Sequence, residues 1–285
     1  MMQKKLSTTD HSRDIAGLKY VYPVLSRRAG GLSIGINFNT NNACNWRCVY
    51  CQVPDLVRGA APVMDFQLLE DELRFFLDKV LNGNFFDQFN VPEQQRVIKD
   101  IAISGNGEPT SLKGFARAVQ LVGQLGKEFK VLPSSHFVLI SNGSLMHQAE
   151  VQQGLKILND YQGQVWFKLD SATESGRQKI NDTRQSNRKT LENLNLSADL
   201  CETRIQTCVL DFLSDAERAA EKTAYLELLR EMQQNAVKVR KIMLYTVARH
   251  SLQPEAERIR KTGAEEMDSL ASVLLEIGYH VECSY

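Results

Sequence analysis

The sequence lacks a net charge, a long apolar run and an internal repeat. Its 285 residues carry 34 Lys and Arg against 34 Asp and Glu, so the formal charge is zero. This balance argues against a protein whose main task is to grip nucleic-acid phosphates, although a local basic patch is compatible with it. No stretch approaches the roughly 20 apolar residues that span a bilayer, and the N-terminus has no apolar run of a secretory signal. We therefore expect a cytoplasmic protein that does not enter a membrane.

Cysteine is scarce, with six residues in the chain, but it is unevenly distributed. Cys44, Cys48 and Cys51 lie within the stretch ACNWRCVYCQ (residues 43–52), at the spacing C-x3-C-x2-C. In a reducing cytoplasm, clustered cysteines favour metal or redox chemistry over structural disulfides. Cys201 and Cys208 are most simply small core residues, and the sequence assigns no role to Cys283.

The fold class predicted by the pattern is α/β. Six β-rich runs alternate with helical patterns: LSIGINF (residues 32–38), VIKDIAIS (97–104), HFVLIS (136–141), VWFKLD (165–170), RIQTCVL (204–210) and KIMLYTV (241–247). Such alternation predicts parallel strands joined by right-handed crossovers. Six units are too few for a closed eight-unit barrel, which leaves a partial barrel or a doubly wound sheet. In either fold, functional residues lie at the carboxyl ends of strands.

Helix and domain limits also follow from the pattern. Apolar residues at steps of three and four predict a one-faced helix over residues 66–80. Ser214 with Glu217, and Thr262 with Glu265, read as capping boxes, and Gly278 is placed to end the second helix. We expect one domain: an N-terminal extension (1–31), a core (32–247), and a C-terminal helix with an edge strand near 279–283 (248–285).

Three clustered thiols suit an iron–sulfur cluster better than the alternatives. A structural zinc site needs four ligands, and with no His nearby it would require a distant residue such as Cys201. A redox cysteine pair would leave the third thiol without a role. A cubane cluster held by three thiolates keeps its fourth iron open, so that a ligand can bind there directly.

Further motifs follow the next predicted strands. ISGNGEPT (residues 103–110) has glycines that let a backbone approach a ligand, and the carboxylate of Glu108 suits an ammonium group better than a phosphate. ISNGS (140–144) contains an Asn-Gly dipeptide that is common in plain turns. In FKLDSATE (167–174), Lys168 and Asp170 share a strand face, either as an ion pair between neighbouring strands or facing a pocket.

Other polar residues are open to two interpretations. Gln206 shares a strand face with Arg204 and Cys208, a pattern that favours a pocket wall over a packed one. Tyr245 and Arg249, at the end of the sixth strand, could line the substrate end or lie at the surface. Arg27 and Arg28 form either a solvated basic turn or an anion contact.

The motifs CNWRCVYCQVPD, SGNGEPT, SNGS and KLDSATE, in that order, resemble the radical S-adenosylmethionine superfamily and within it the wyosine-synthase-like group. The resemblance spans residues 44–174. It implies a partial (β/α)6 barrel, a 4Fe-4S cluster on Cys44, Cys48 and Cys51, and S-adenosylmethionine chelating the open iron. In that family, one electron from the reduced cluster cleaves S-adenosylmethionine to a 5′-deoxyadenosyl radical, which abstracts a hydrogen atom from the substrate.

The resemblance also implies a set of cofactor-binding residues, and it leaves any catalytic residue of the protein unknown. That set is Tyr50, Gly105, Asn106, Gly107, Glu108, Ser141, Asn142, Asp170 and Ser171. Asn106 stands where the Gly-Gly-Glu-Pro form of the family motif has a glycine, and Gly-Asn-Gly-Glu-Pro also occurs in the family. The backbone and the Glu of this motif are expected to contact the methionine amino group.

The substrate and partners are less defined. Characterised members of the wyosine-synthase-like group rebuild a tRNA guanosine, but they carry additional N-terminal cysteines, and this chain has none before Cys44. The substrate therefore stays unknown, with RNA as one candidate, and the family implies an electron donor of the flavodoxin or ferredoxin type. The alternatives are an activase that places a glycyl radical on a partner protein, and a non-catalytic iron–sulfur or zinc binding protein.

Overall fold

The computed structural model describes Leu6, residues 16–26 and residues 30–285. Arg27 and Arg28, interpreted above as an anion contact or a solvated turn, lie outside the described residues.

The strands of the described chain form one large sheet and two short pairs. They are, in chain order, β1 (Val21–Ser26), β2 (Gly31–Ile36), β3 (Ala43–Cys44), β4 (Val57–Arg58), β5 (Ile98–Ile103), β6 (His136–Ser141), β7 (Gln164–Lys168), β8 (Glu202–Cys208), β9 (Leu210–Asp211), β10 (Val239–Tyr245), β11 (Arg260–Lys261) and β12 (His280–Ser284). The large sheet has the order β1-β2-β5-β6-β7-β8-β10-β12, and every pair from β2 to β12 is parallel. Strand β3 pairs with β4, and β9 with β11.

Helices connect the parallel strands. They are α1 (Phe66–Leu81), α2 (Phe85–Gln88), α3 (Phe115–Glu128), α4 (Ala149–Asp160), α5 (Glu174–Asn181), α6 (Asn187–Leu200), α7 (Asp215–Gln234) and α8 (Ala264–Ile277). Strands β2, β5, β6, β7, β8 and β10 are each followed by at least one helix, which confirms the prediction of a partial (β/α)6 barrel. The predicted edge strand is confirmed as β12.

Strand β1 was not predicted. It is antiparallel to β2 and forms an edge of the sheet, within the segment assigned to an N-terminal extension. Pro23 lies in this strand and argues against a strand in the sequence, but proline is tolerated at a sheet edge, where one row of N–H groups is unpaired. The division of the chain into residues 1–31, 32–247 and 248–285 stays a prediction.

The two faces of the sheet differ because strand side chains alternate in direction. On β7, Val165 and Phe167 are fully buried in the main hydrophobic cluster, to which side chains of the helices also contribute. Trp166 and Lys168 point to the opposite face and are half-buried. In register with them on β8 are Arg204 and Gln206, so this inner face is polar where the outer face is apolar.

Local signals explain most helix ends. The Asp65 carboxylate accepts a hydrogen bond from the N–H of Leu68 and starts α1, whose apolar stripe is buried as predicted. The capping box of Ser214 and Glu217 is confirmed at α7. Gly278 ends α8 at φ 106°, where a side chain would be strained.

The second predicted capping box is wrong. Helix α8 begins after Gly263 with no side-chain cap. The Thr262 hydroxyl instead donates to the Val209 carbonyl at 3.0 Å, next to the β9–β11 pair. Within the described part of the chain, α8 and the other helices are each too short or too polar to cross a lipid bilayer.

Candidate active site

The sequence motifs meet at one edge of the sheet. The cysteine loop (residues 43–59), the glycine loop (104–110), the asparagine turn (141–144) and the aspartate segment (169–173) follow β2, β5, β6 and β7, which are neighbours in the sheet. Carboxyl ends of parallel strands meet at one edge, so segments far apart in sequence become adjacent. This edge is the candidate active site.

The cysteine loop is closed by its own backbone. The short β3–β4 pair joins its two ends, with the N–H of Gly59 donating to the Cys44 carbonyl at 3.1 Å. Inside the loop, the N–H of Cys51 donates to the Cys48 carbonyl at 2.9 Å. All three cysteines of the loop are half-buried free thiols.

Asparagines tie the cysteine loop to the glycine loop. The Asn37 Oδ1 atom accepts from the N–H groups of Asn39 and Asn106, at 3.1 and 3.0 Å. The Asn106 amide donates to Asn42 Oδ1 at 2.6 Å. The sequence interpretation missed the role of Asn37, Asn39 and Asn42, and the available signal was composition, since five asparagines fall between residues 37 and 45.

Gly105 and Gly107 lie against neighbouring protein atoms on the side where a side chain would project, and their predicted approach to a ligand stays a prediction. A Cβ atom at Gly107 would lie 1.9 Å from the Ala43 carbonyl oxygen, and one at Gly105 would lie 2.2 Å from Asn37 Oδ1. At Gly107 the glycine loop therefore packs against the backbone of the cysteine loop, and at Gly105 it packs against the Asn37 side chain that follows β2.

Glu108 is buried and accepts four hydrogen bonds. It accepts from the Thr110 N–H and hydroxyl (3.1 and 2.6 Å), the Ser141 hydroxyl (2.7 Å) and the Asn142 N–H (2.7 Å). Burial raises the pKa of Glu108 above its usual value, and these hydrogen bonds act in the opposite direction. A carboxylate has about four acceptor sites. Three of these bonds fall on Oε1 and one on Oε2, so Oε2 keeps an acceptor site, and the predicted contact of Glu108 with a ligand amino group stays a prediction.

The asparagine turn contacts both loops. Besides the bond from Ser141 to Glu108, the Asn142 amide donates to Asn45 Oδ1 at 2.8 Å. The Asn45 amide donates in turn to the Ser144 hydroxyl at 2.7 Å. Ser141 and Asn142 are therefore joined to the cysteine loop through Asn45, which lies directly after Cys44.

Asp170 is surrounded by donors. It accepts from the Cys208 N–H and the Asn181 amide, each at 2.9 Å, and from the Tyr50 hydroxyl. Lys168 Nζ lies 3.4 Å from its Oδ1 atom. The ion pair is thus formed within one segment and not between neighbouring strands, and Tyr50 links that segment to the cysteine loop.

Lys168 stays positively charged in this setting. Its Nζ lies 5.0 Å from the Tyr50 ring centroid and 4.7 Å from that of Tyr245, and it donates to the Tyr245 hydroxyl. Burial is the largest single influence and lowers the pKa of Lys168, but Asp170, Tyr245 and Cys208 together raise the pKa above its ordinary value. The site therefore holds a fixed cation at the top of the inner face.

Four other residues singled out in the sequence lie in different surroundings in the structure. Ser171 is buried but bonds locally, accepting from the Thr173 N–H and donating to the Thr173 carbonyl just before α5. Gln206 is buried on the inner face in register with Lys168, as expected of a wall residue. Tyr245 reaches Lys168, whereas Arg249 is half-buried beyond the strand.

The pKa values of two of the thiols are raised by burial and by nearby negative charge. Burial raises the pKa of both Cys44 and Cys48 to about 12, helped by the charge of Glu108 at Cys44 and of Asp170 at Cys48. Two N–H groups point at the sulfur atoms: that of Trp46 at 3.5 Å from Cys44 Sγ, and the Asn181 amide at 3.2 Å from Cys48 Sγ. Metal binding at such thiols would release protons.

The donor set fits a cubane cluster better than a single ion. In the described part of the chain, no three His, Cys, Asp or Glu side chains converge as ligands of one metal ion would. A cubane cluster takes each thiolate on a different iron, so its ligands need not converge on one point. Asn39 Oδ1 and Asn181 Oδ1, beside the loop, are among the buried side-chain atoms without a hydrogen-bond partner in the described part of the chain.

Cys201 is not placed to serve as a fourth zinc ligand. It directly precedes β8, at the amino end of a 7-residue strand that spans roughly 20 Å, and its thiol donates to the Gly163 carbonyl. Cys208, at the other end of β8, packs with Val49 and Ile180 in a small cluster beside the cysteine loop. The zinc interpretation that relied on Cys201 is therefore wrong.

Two further segments bind the cysteine loop: Asp182, directly after α5, and a stretch of the C-terminal region. The sequence interpretation missed both. The Arg47 guanidinium binds Glu255 through two bonds of 2.7 and 2.8 Å and Asp182 through one of 3.1 Å. In the C-terminal strap (residues 251–259), the Ser251 hydroxyl donates to the Val49 carbonyl at 2.6 Å. Arg47 and Glu255 are 208 residues apart in sequence, so no local pattern predicts their contact.

Sequence comparisons place the chain among known proteins. The family model described as the Radical SAM superfamily matches residues 38–224, more than half of the chain. A "UPF0026 protein" of Helicobacter pylori (strain ATCC 700392 / 26695) is 30% identical over 137 residues, 47% of this chain and 38% of that protein. A "GTPase Obg" of Brachyspira hyodysenteriae is 24% identical over 135 residues, which are 17% of its length. The matches thus span well under half of either relative.

Solved structures share the fold. A radical SAM methyltransferase from Sphaerobacter thermophilus superposes with a TM-score of 0.57 at 11% identity, over 93% of this chain and 69% of that one. TYW1 with a lysine-pyruvate adduct bound gives 0.52 at 17% identity, over 86% and 73%. A spore photoproduct lyase mutant gives 0.53 at 11%, over 85% and 74%. With the family match across the cysteine loop and the next four strands of the sheet, the chain belongs to the radical SAM superfamily.

Proposed function

We propose that Cys44, Cys48 and Cys51 hold a 4Fe-4S cluster whose open iron binds S-adenosylmethionine. Enzymes of this superfamily use that cluster and S-adenosylmethionine, so the general reaction follows from membership. When bound, the two supply a 5′-deoxyadenosyl radical for hydrogen abstraction. The observation that carries the residue assignment is the position of three half-buried thiols on one closed loop at the carboxyl edge of the sheet.

The surrounding residues position the loop and the ligand. Glu108 joins the ends of β5 and β6 through Ser141 and Asn142, and Asn45 joins that turn to the loop. Gly107 brings the glycine loop against the cysteine loop. We propose that the exposed polar atoms of the glycine loop and of Asn106 face S-adenosylmethionine, while Glu108 keeps them in place.

The substrate is proposed to bind against the inner face of the sheet. This face carries half-buried polar side chains, among them Trp166, Lys168 and Arg204, whereas the opposite face is packed under helices. Lys168 is a fixed cation at the end of this face nearest to the cysteine loop, and it favours a substrate with an acceptor or a negative group. RNA stays a candidate substrate, and a flavodoxin or ferredoxin stays the candidate electron donor.

The test is EPR spectroscopy of protein purified and reconstituted without oxygen. We expect the dithionite-reduced protein to give a cubane signal that changes when S-adenosylmethionine is added, because the ligand binds the open iron. Cys44→Ala, Cys48→Ala and Cys51→Ala should each abolish the signal, while Cys201→Ala, on the opposite edge of the sheet, should retain it. A protein that takes up zinc and assembles no cluster would refute the proposal, as would an intact cluster in one of the three variants.

A further inference from the structure

The side chain of Asn181 is buried next to a proposed cluster ligand, although it belongs to none of the motifs. Asn181 is the last residue of α5 and is 1% exposed. Its Nδ2 atom lies 3.2 Å from Cys48 Sγ and 2.9 Å from Asp170 Oδ2. One amide group therefore bridges a thiol and a carboxylate.

The orientation of this amide follows from its neighbours. Asp170 receives the Asn181 amide, the Tyr50 hydroxyl and the Cys208 N–H, all of them donors. A carboxylate among donors accepts, so Nδ2 faces it and the second hydrogen of Nδ2 is free to point at the sulfur atom. The Asn181 Oδ1 atom is buried without a hydrogen-bond partner.

The backbone holds Asn181 at this distance. The N–H of Arg47 donates to the Asn181 carbonyl at 3.2 Å, and the N–H of Val49 donates to the Ile180 carbonyl at 2.8 Å. These two bonds lie on either side of Cys48, so the end of α5 and the cysteine loop form one hydrogen-bonded unit. The contact between the amide and Cys48 is thus built into the fold.

We propose that Asn181 is a positioning residue that donates an N–H···S hydrogen bond to Cys48 and raises the reduction potential of the cluster. The inference rests on the proposed function. One-electron reduction adds negative charge to a cluster and its sulfur ligands, and hydrogen bonds to these sulfur atoms stabilise that charge. The amide also separates the sulfur atom from Asp170, whose negative charge would otherwise face it and disfavour reduction.

The test is an EPR-monitored redox titration of the reconstituted protein without S-adenosylmethionine. Asn181→Leu removes the donor at similar size, and Asn181→Asp replaces it with an acceptor of the same shape. We expect a midpoint potential more negative than that of the wild type for Asn181→Leu, and more negative again for Asn181→Asp. The matched control is Asn193→Leu, which removes a fully buried helical amide that donates to the carbonyls of Gly143 and Ser144 and should not shift the potential.

The outcomes separate this inference from the proposed function. Equal potentials in the wild type and both Asn181 variants would overturn the inference and leave the proposed function intact. A wild-type protein that assembles no cluster would overturn both. If neither variant assembles a cluster, the test uses wild-type protein labelled with 15N in its asparagine amides. Pulsed EPR of its reduced cluster should show a 15N coupling, and the absence of this coupling would overturn the inference.

Discussion

At the scale of single residues, Gly107 is the position that the site tolerates least. A Cβ atom there would lie 1.9 Å from the Ala43 carbonyl oxygen and 2.7 Å from Asn39 Nδ2, and the backbone oxygen has no room to move within the β3–β4 pair. We expect Gly107→Ala to lower the free energy of unfolding by about 2 kcal/mol or more, in the range of overpacking substitutions. Urea titration followed by circular dichroism measures the change.

Gly263→Ala is the control for this substitution. A Cβ atom at Gly263 would meet nothing within 4 Å, and its φ of −67° suits alanine. Equal stability of the two variants would show that the contact between the glycine loop and the cysteine loop is looser than the structure has it.

Asp100 is a buried carboxylic acid on the inner face, and its charge is unfavourable. Burial raises its pKa from 3.8 to about 6, and the hydrogen bond donated by Ser33 offsets this only in part. Because the folded state holds the proton more tightly than the unfolded state, this residue lowers stability progressively as the pH rises from about 4 to about 6. Above that window the penalty is constant.

Asp100→Asn should therefore stabilise the protein at pH 7, by up to about 3 kcal/mol, since each pKa unit corresponds to about 1.4 kcal/mol. The gain should shrink as the pH falls to about 4, where both forms are neutral. Urea titrations of the two proteins at pH 4, 5, 6 and 7 measure it. A difference that does not depend on pH would contradict the assignment of the effect to this carboxyl group.

At the scale of elements, the C-terminal strap and the end of α5 hold the cysteine loop from outside. Arg47 joins all three, through its paired bonds to Glu255 and its bond to Asp182. The Arg47 guanidinium lowers the pKa of Glu255 below its usual value. The stabilisation from this pair is thus present above the unfolded pKa of about 4.5 and is lost as the pH falls through the folded pKa.

Glu255→Gln should make local opening of the cysteine loop more frequent, while it lowers the free energy of unfolding of the whole fold only slightly. The pair is partly exposed, so we expect a loss of only about 1 kcal/mol in the free energy of unfolding at pH 7. Amide hydrogen exchange of residues 43–59 should become faster at pH 7, and the two proteins should converge only when the pH falls below the lowered pKa of Glu255, where the wild-type carboxylate is protonated.

Glu257→Gln is the matched control in the same strap. The Glu257 side chain is 90% exposed, and its ion pair is with His250 at 3.5 Å, so its removal should leave exchange in the loop unchanged. If exchange in the loop of the Glu255→Gln variant is as slow as in the wild type, the backbone bonds and Ser251 hold the loop without Arg47.

At the scale of the whole molecule, the cysteine loop forms hydrogen bonds to parts of the chain that are distant in sequence. It contacts the asparagine turn through Asn45, the end of α5 through Arg47 and Val49, and the strap through Arg47, at sequence separations of up to 208 residues. A ligand of the folded loop should therefore stabilise the entire chain in one transition and not the loop alone.

Cluster assembly should raise the temperature of thermal unfolding. A ligand present at 100 times its Kd adds about 2.7 kcal/mol, which corresponds to a rise of roughly 5 °C or more in a chain of this size. Anaerobic calorimetry of protein before and after reconstitution measures this rise. Cys48→Ser treated in the same way should show no rise, and an unchanged wild-type midpoint would mean that the loop is uncoupled from the rest of the fold.

Much of the architecture was predictable from the sequence, because strand and helix periodicity is local. The six βα units, the edge strand β12, the start of α7 and the end of α8 were all predicted within a few residues. Strand β1 was missed because Pro23 argues against a strand, and only the pairing with β2 shows that it lies at an edge. The start of α8 was misjudged because Thr262 bonds to Val209, 53 residues away.

The sequence by itself determined the chemistry available to this protein: three cysteines at a diagnostic spacing, a glycine loop with a carboxylate, and the positions of both directly after predicted strands. These features are properties of short segments. Only the tertiary structure decided what each side chain contacts: Glu108 accepts hydrogen bonds from Ser141 and Asn142, and Asn181 is directed at Cys48. The physical reason is that such partners are selected by packing between segments, and hydrogen bonds across 33 to 133 residues leave no local pattern.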